Sequence, residues 1–331
     1  MSATPTRRLI AVVVLVPVLG ALALWAFAWP AARTAPRDLP LGVAGPPAAT
    51  AQLERLLEQR EGAFEIHRYA DEAAARDAIE DRTVYGALVV TPQGPELLTA
   101  SAAGPAVAQS LQQAVAQQAA AEGTQVRTVD VVAAPASDPR GAAFNAAVLP
   151  LALAGIAAGA VVTVLGLRGV RAVTALLGAA ALVGTTAAGI AHNWLGVLTG
   201  DWWTEAAVLG LSALAVSGAV AGLAALVGTA GIGIAGAVVM LLGNPFSGAA
   251  SAPRMLPEPA GVIGQWLPPG AGTTLLRSVS YFDGAAATGP ALTLTWWAAL
   301  GLGAVLLGSA LRARKASSEP ATDGRELAAA G

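Results

Sequence analysis

The sequence predicts an α-helical polytopic membrane protein with six transmembrane helices and a small α/β extracytoplasmic domain inserted between helices 1 and 2. The first observation is composition: of 331 residues, 55% are hydrophobic and 12% are charged, whereas soluble proteins carry about 25% charged residues. The second is charge distribution, because residues 33–140 hold nine arginines and fourteen acids while residues 141–311 hold eight charged residues. The third is a series of long uncharged runs.

Each transmembrane helix corresponds to an uncharged run. A hydrocarbon core of about 30 Å takes roughly 20 apolar helical residues. The runs of that length are 9–29, 141–167, 172–191, 206–253 and 284–311. The fourth has 48 residues, about 72 Å of helix at 1.5 Å per residue, so it is expected to hold two spans with a turn near 228–231.

Arginine and lysine in short loops predict the orientation, because such loops stay on the cytoplasmic side. Such residues occur in three groups. Arg7 and Arg8 precede span one, Arg168 and Arg171 lie between spans two and three, and Arg312, Arg314 and Lys315 follow span six. With six spans, all three groups fall on one side, so both termini are expected to be cytoplasmic. The bias towards Arg, Ala and Gly indicates a GC-rich genome, and we expect a multi-pass protein of the bacterial cell membrane.

Four parts follow from these boundaries. They are an N-terminal transmembrane anchor (1–30), an extracytoplasmic α/β domain (31–141), a five-helix membrane domain (142–311) and a cytoplasmic tail (312–331). The first span could instead be a signal peptide, because Ala26-Phe27-Ala28 is an A-x-A pattern after a basic start. Its apolar core of 21 residues exceeds the 7–15 of a typical signal peptide, which favours an uncleaved anchor.

Hydrophobic periodicity divides residues 33–140 into strands and helices. LPLGVAG, FEIHRYA and QVRTVDVVA are expected to be strands, and YGALVVTP with PELLTAS a hairpin. Residues 48–60, EAAARDAIED and 106–121 are expected to be helices. Asp71 is expected to cap the second helix. His67 and the acidic residues of that helix are interpreted as surface side chains. The Pro-rich stretch AAPASDPRG is expected to be a linker that lets the domain move relative to the membrane part.

Glycines inside the predicted spans favour close helix packing. GIGIAG at 231–236 matches the dinucleotide-binding pattern GxGxxG, but it follows no strand, and helix packing explains it better. The pairs Gly155/Gly159 and Gly218/Gly222 have the four-residue spacing that lets helices approach closely. The spacing is compatible both with contacts inside one chain and with contacts between chains.

Residues 244–283 are the most distinctive stretch. Asn244-Pro245 should end span five before it clears the bilayer, because proline removes a backbone donor and disfavours helix at the preceding residue. The sequence that follows is rich in Pro and Gly and also apolar, which predicts a re-entrant or interfacial segment. Within it we expect a turn at 268–270 and a short amphipathic helix at 273–282.

This segment supplies the candidate transport-path residues, which are Asn244, Pro245, Arg277 and Asp283. Arg277 and Asp283 are expected near the outer mouth of the membrane part, where charged residues mark functional sites. The alternative, that Arg277 extends to lipid head groups, stays open. His192, at the outer end of span three, is interpreted as an interfacial residue.

Several function classes are excluded. The chain has no cysteine, which removes disulfides, cysteine-ligated metals and thiol nucleophiles. Lys315 is the single lysine and lies in no P-loop. A net charge of -2 argues against nucleic-acid binding. Because no catalytic motif occurs, we expect no enzyme activity, no metal and no cofactor.

The layout of one N-terminal span, a large outside domain and five further spans resembles type-2 ABC exporter permeases, most closely the phage infection protein (Pip-like) branch. GNPFSGA after span five and LPPGAGTTLLRSVSYFDG before span six carry the local resemblance, with a Pro-Gly turn, an Arg and an aromatic pair. The resemblance implies a permease-like subunit that forms a homodimer, depends on a separate ATPase and moves lipid, amphiphile or peptide cargo outward across the bilayer. It also places the ATPase-coupling contact between spans two and three, which makes Arg168 and Arg171 the coupling candidates. The turn near Gly228 and the termini are the other segments that an ATPase could contact.

An alternative function follows from how short that loop is. The four residues 168–171 leave little cytoplasmic surface for an ATPase to contact. The chain could therefore be a non-transporting membrane receptor or scaffold whose extracytoplasmic domain binds an envelope component.

Overall fold

A computed structural model of the chain describes residues 5–318, so most of the predicted cytoplasmic tail (319–331) lies outside the described residues. The chain begins with helix α1 (Pro5–Ala32). Strands and helices then alternate in the order β1 (Leu39–Ala44), α2 (Pro47–Glu58), β2 (Phe64–Tyr69), α3 (Glu72–Glu80), β3 (Gly86–Thr91), β4 (Gly94–Thr99), α4 (Pro105–Glu122) and β5 (Arg127–Asp130). We refer to residues 39–130 as the α/β unit.

Each element expected in this region occurs in the structure. Asp71 caps α3, where its carboxylate accepts a hydrogen bond from the Ala74 backbone N–H at 2.9 Å. The five strands of the unit form one sheet in the order β2-β1-β3-β4-β5. The β3–β4 hairpin is antiparallel and the other pairs are parallel, as helical crossovers require.

The two faces of the sheet pack against different elements, because successive side chains of a strand point to opposite faces. On one face, Ala87 and Leu98 pack against α3. On the other face, Leu88 and Leu97 pack in a cluster with residues of α2 and α4.

The second half of the chain is helical. Its elements are α5 (Ala142–Val164), α6 (Gly169–Ala188), α7 (Trp202–Val227), α8 (Ala230–Ala237), a 3₁₀ turn (Pro253–Met255), α9 (Ala260–Trp266), α10 (Pro268–Tyr281) and α11 (Thr288–Ser318). Helix α7 lies at the centre, with α5, α6 and α11 packed around it. Among residues 5–318, five helices are long and apolar enough to cross a membrane, and they lie in α1, α5, α6, α7 and α11.

The predicted fifth span is shorter than a full crossing, so six full-length spans are not confirmed. Helix α8 continues as a π-helix (Val238–Gly243), and the apolar helix Ala230–Gly243 extends about 21 Å at 1.5 Å per residue. It stops where Asn244-Pro245 was expected to end it. The Asn244 N–H bonds the carbonyl of Val239, five residues back, at 2.9 Å.

Small residues bring the membrane helices together within one chain. A side chain at Gly155 or Gly159 of α5 would collide with Val216 or Val220 of α7. Gly301 of α11 lies against the backbone of Gly218 of α7 in the same way. The GIGIAG stretch is helical and packs on α7. Contacts inside the chain therefore account for the glycine pairs.

The α/β unit is packed against the membrane part, contrary to the expected freedom of movement. Ala252 and Met255 are buried in the sheet face that carries α2 and α4, and Phe282 is buried against the opposite face. The Arg37 N–H bonds the Arg254 carbonyl at 2.9 Å. Residues 133–141 lie outside helices and strands, as expected of a linker, but segment 244–283, distant in sequence, contributes side chains to both faces of the sheet.

Candidate functional site

Helix α10 is the element on which the α/β unit and the membrane helices meet. It begins at Pro268, and Pro269 follows in its first turn. A turn at 268–270 was expected, but proline is well suited to the first helical positions, where its missing N–H has no intrahelical partner. Most of α10 is buried, including Arg277 and Ser278.

Arg277 is held by the irregular backbone that follows α8. Its side chain is 3% exposed, and the guanidinium donates to the carbonyls of Ala249 at 2.6 Å and Gly248 at 3.5 Å. It also lies over the Phe144 ring, 4.8 Å from the centroid. The ion pairs among residues 5–318 do not include Arg277. A buried cation satisfied by carbonyls fixes the position of the 247–251 loop.

Arg82 connects the α/β unit to the same helix. Its Nη1 donates to the Thr274 carbonyl at 3.0 Å and to the Ser278 hydroxyl, and its guanidinium lies 5.2 Å from the centroid of the Phe282 ring. Burial lowers the pKa of the Arg82 guanidinium. Burial raises the pKa of the Tyr85 phenol, so it remains neutral at pH 7.

A second buried group lies at the other side of α10, and the sequence analysis missed it. Glu205, in the first turn of α7, is fully buried. Its Oε2 is 2.8 Å from His192 Nδ1, and its Oε1 accepts from the Gly200 N–H at 2.8 Å. The interpretation of His192 as a merely interfacial residue therefore overlooked its partner. The sequence did contain a signal for this site, because Glu205 is one of only eight charged residues in 141–311.

His192 lies in a π-helical turn (Gly189–Trp194) that continues α6, and π-bulges are frequent at functional sites. The loop after this turn is tied to α10, because the Tyr281 hydroxyl donates to the Val197 carbonyl at 2.7 Å and the Thr199 hydroxyl donates to the Ser280 carbonyl at 3.1 Å. Arg277 and the partly buried Tyr281 on α10, with Glu205 beside the loop tied to α10, form what we call the polar seam.

Of the other transport-path candidates, Asn244 lies in the turn after α8, and Asp283 lines a cavity together with Tyr281 of the seam. The Asn244 carbonyl accepts from the Ser247 hydroxyl at 2.7 Å, in the turn that ends the π-helix. Asp283 follows α10 in a left-handed conformation with φ of 48°. It lines an open cavity of 680 Å³ together with Glu80 and Asp81 of the α/β unit. Asp283 is therefore not the counter-ion of Arg277.

Arg168 and Arg171 are exposed at the opposite end of the membrane helices. The Gly169 N–H between them donates to the Ser309 hydroxyl of α11 at 2.7 Å. Arg312 donates to the Ala225 carbonyl at the end of α7, so it lies at this end too. Arg168 and Arg312, two of the basic residues expected on the cytoplasmic side, thus lie at the same end of the bundle. They line one small cavity of 70 Å³.

A larger apolar crevice of 620 Å³ opens between α5 and α6. Phe144 and Leu276 form its inner wall beside the polar seam. The lining is almost entirely aliphatic, so the crevice suits an alkyl chain better than a polar solute.

Comparison with known proteins gives one match. Residues 7–166 match the family model of the ABC-2 family transporter proteins, and this range covers α1, the α/β unit and α5. No curated protein and no solved structure shows a significant match to the chain. Members of the ABC-2 permease family normally work with an ATPase. Residues 7–166, just under half of the chain, are thus similar to the ABC-2 family transporter proteins, and the five long apolar helices are typical of a multi-pass membrane protein.

Proposed function

We propose that the chain is the permease subunit of an ABC-type exporter of the Pip-like branch, which moves a lipid, amphiphile or peptide outward. The observation that carries this proposal is the family match over residues 7–166. The chain itself catalyses no reaction in this proposal, and a separate ATPase supplies the energy. A homodimer in the bacterial cell membrane is the expected assembly.

The ATPase contact is proposed to be the end of the bundle that carries Arg168 and Arg171. Both side chains are exposed, and the backbone between them is anchored to α11 through Ser309. A force applied to this loop would therefore be passed to α11, which packs along the central helix α7.

The test is purification of the full chain from its native membrane in mild detergent, with identification of co-purifying proteins by mass spectrometry. We expect a stoichiometric P-loop ATPase that is lost when Arg168 and Arg171 are both replaced by alanine. Arg140→Ala is the matched control, because Arg140 is exposed at the other end of α5. Recovery of the ATPase with the double variant would contradict the coupling contact.

A receptor or scaffold remains the second candidate function, and the structure contains a feature that favours it. The connections at the proposed cytoplasmic end are short, since α5 ends at Val164 and α6 begins at Gly169, while α7 ends at Val227 and α8 begins at Ala230. Repeated purification without an ATPase, but with an envelope component bound to residues 33–140, would favour this function.

The proposed orientation has its own test, because the chain has no native cysteine. Single cysteines are introduced at Arg140, beside the α/β unit, and at Val170, an exposed position in the first turn of α6. A membrane-impermeant maleimide should label Arg140→Cys in intact cells and Val170→Cys only after lysis. The reverse pattern would contradict cytoplasmic termini.

A further inference from the structure

A groove of 400 Å³ crosses one face of the α/β unit, away from the polar seam. Its floor is formed by leucines of three adjacent strands, namely Leu41, Leu88 and Leu97. Helices α2 and α4 form its walls. Its volume lies within the range of about 300–1,000 Å³ that is typical of small-molecule sites.

The groove stays open because its walls differ in side-chain size. Helix α2 presents three leucines, and Leu56 among them is 40% exposed. Helix α4 is built largely from alanine and glutamine, and Ala114 on its groove side is too small to reach across to α2. The floor leucines Leu41, Leu88 and Leu97 are 0–8% exposed, so the apolar surface that remains accessible from outside belongs to the walls, where Leu56 is exposed.

Polar side chains line only the mouth of the groove: Gln59, Arg60 and Gln118. Arg60 is the one charged residue of the lining and makes no ion pair with any residue in the described range 5–318. Glu58 and Glu61 flank it in sequence but do not line the groove. The mouth thus offers one positive charge.

We propose that this groove binds an amphiphile with a single alkyl chain and an anionic head group, such as a carboxylate or a phosphate. The alkyl chain lies between the walls formed by α2 and α4, against Leu56 and Ala114, and the head group is bound by Arg60 at the mouth. Burial of the alkyl chain supplies affinity, and the guanidinium selects the anionic head group because it pairs well with carboxylate and phosphate.

The position of the groove fits capture of a molecule on the outer side. Helix α4 begins at Pro105, next to the membrane-associated segment 244–283, because the preceding Gly104 lies against Ser251. Gln118 is about 20 Å further along the helix axis at 1.5 Å per residue. As a cargo site the groove rests on the proposed permease function, but the binding itself does not require an ATPase.

The test uses the full chain in phospholipid nanodiscs and three diazirine probes with the same alkyl chain: palmitate, palmitoyl lysophosphatidate and hexadecanol. After photolysis, labelled peptides are mapped by mass spectrometry. We expect both anionic probes or one of them to label peptides of α2 and α4. Preference for palmitate would indicate a free fatty acid, and preference for lysophosphatidate would indicate a phosphate-headed lipid.

Three variants make the test specific. Ala114→Trp fills the groove and should reduce labelling of α2 and α4 about tenfold, whereas Ala116→Trp, on the exposed side of the same helix, should not. Arg60→Gln should reduce labelling by the anionic probes about tenfold and leave hexadecanol unchanged. Leu56→Gln, at an exposed position, provides a second groove variant if Ala114→Trp fails to fold.

Two results would overturn the proposal. One is labelling confined to the membrane helices, or equal labelling of the wild type and both groove variants. The other is hexadecanol labelling α2 and α4 as strongly as the anionic probes. Either result leaves the ATPase co-purification untouched, so failure of the groove and failure of the permease function are distinguishable.

Discussion

The imidazole Nδ1 of His192 lies 2.8 Å from Oε2 of Glu205, which joins the end of α6 to the first turn of α7. Glu205 is fully buried, and its other oxygen is occupied by the Gly200 N–H. A buried carboxylate must be paired or hydrogen-bonded to be tolerated, so the histidine supports the acid and the acid fixes the α6–α7 loop.

Replacing His192 with alanine should lower the free energy of unfolding by about 1–3 kcal/mol, because Glu205 then keeps only one partner. Glu205→Gln should lower it less, since the amide oxygen can still accept the Gly200 hydrogen bond. Thermal unfolding in detergent, followed by tryptophan fluorescence, measures both. His67→Ala, on β2 of the α/β unit, is the control. Equal unfolding temperatures for the two histidine variants would contradict the supporting role.

Arg277→Ala should destabilise the protein by about 2–4 kcal/mol, because it leaves the buried carbonyl of Ala249 without its donor and opens a cavity beside Phe144. Both stability and export are expected to fall. Arg254→Ala is a matched control, since Arg254 lies in the same segment and is exposed. The amount of folded protein is measured by size-exclusion chromatography. A normal amount of Arg277→Ala with abolished export would instead assign Arg277 to the transport path.

Arg82→Gly should loosen the contact between the α/β unit and α10. Glycine is chosen because Arg82 has a φ of 59°, a conformation that glycine adopts without strain. Loss of the bonds to Thr274 and Ser278 should raise hydrogen exchange in residues 268–281 while α7 stays protected. Arg76→Ala, which removes an i,i+4 ion pair with Glu72, is the control. Unchanged exchange in α10 would show that apolar packing alone holds the unit.

Gly301→Ala should force α11 away from α7 and destabilise the bundle by about 1–3 kcal/mol, as overpacking does. The added methyl group would meet the backbone of Gly218, which cannot move aside as a flexible side chain could. Gly303→Ala, two residues further on, meets no atom within 4 Å and is the matched control. A lower unfolding temperature for Gly303→Ala than for Gly301→Ala would contradict the close contact between α11 and α7 at Gly301.

The sequence by itself determined the local elements of this protein. Charge depletion identified the long apolar helices, and short apolar segments identified the strands of the α/β unit, with alternation clearest in β2, because both signals depend on residues a few positions apart. The end of the fifth predicted span at Asn244-Pro245 was likewise local, since proline acts on its own helix.

The tertiary structure alone decided which distant residues meet. Arg82 and Thr274 are 192 residues apart, and the burial of Phe282 and Met255 against the sheet has no periodic signal. His192 and Glu205 are only 13 residues apart, yet they pair because a π-turn and the fold of the α6–α7 loop bring them together. Such contacts depend on how helices and sheet pack, which no short stretch of sequence encodes.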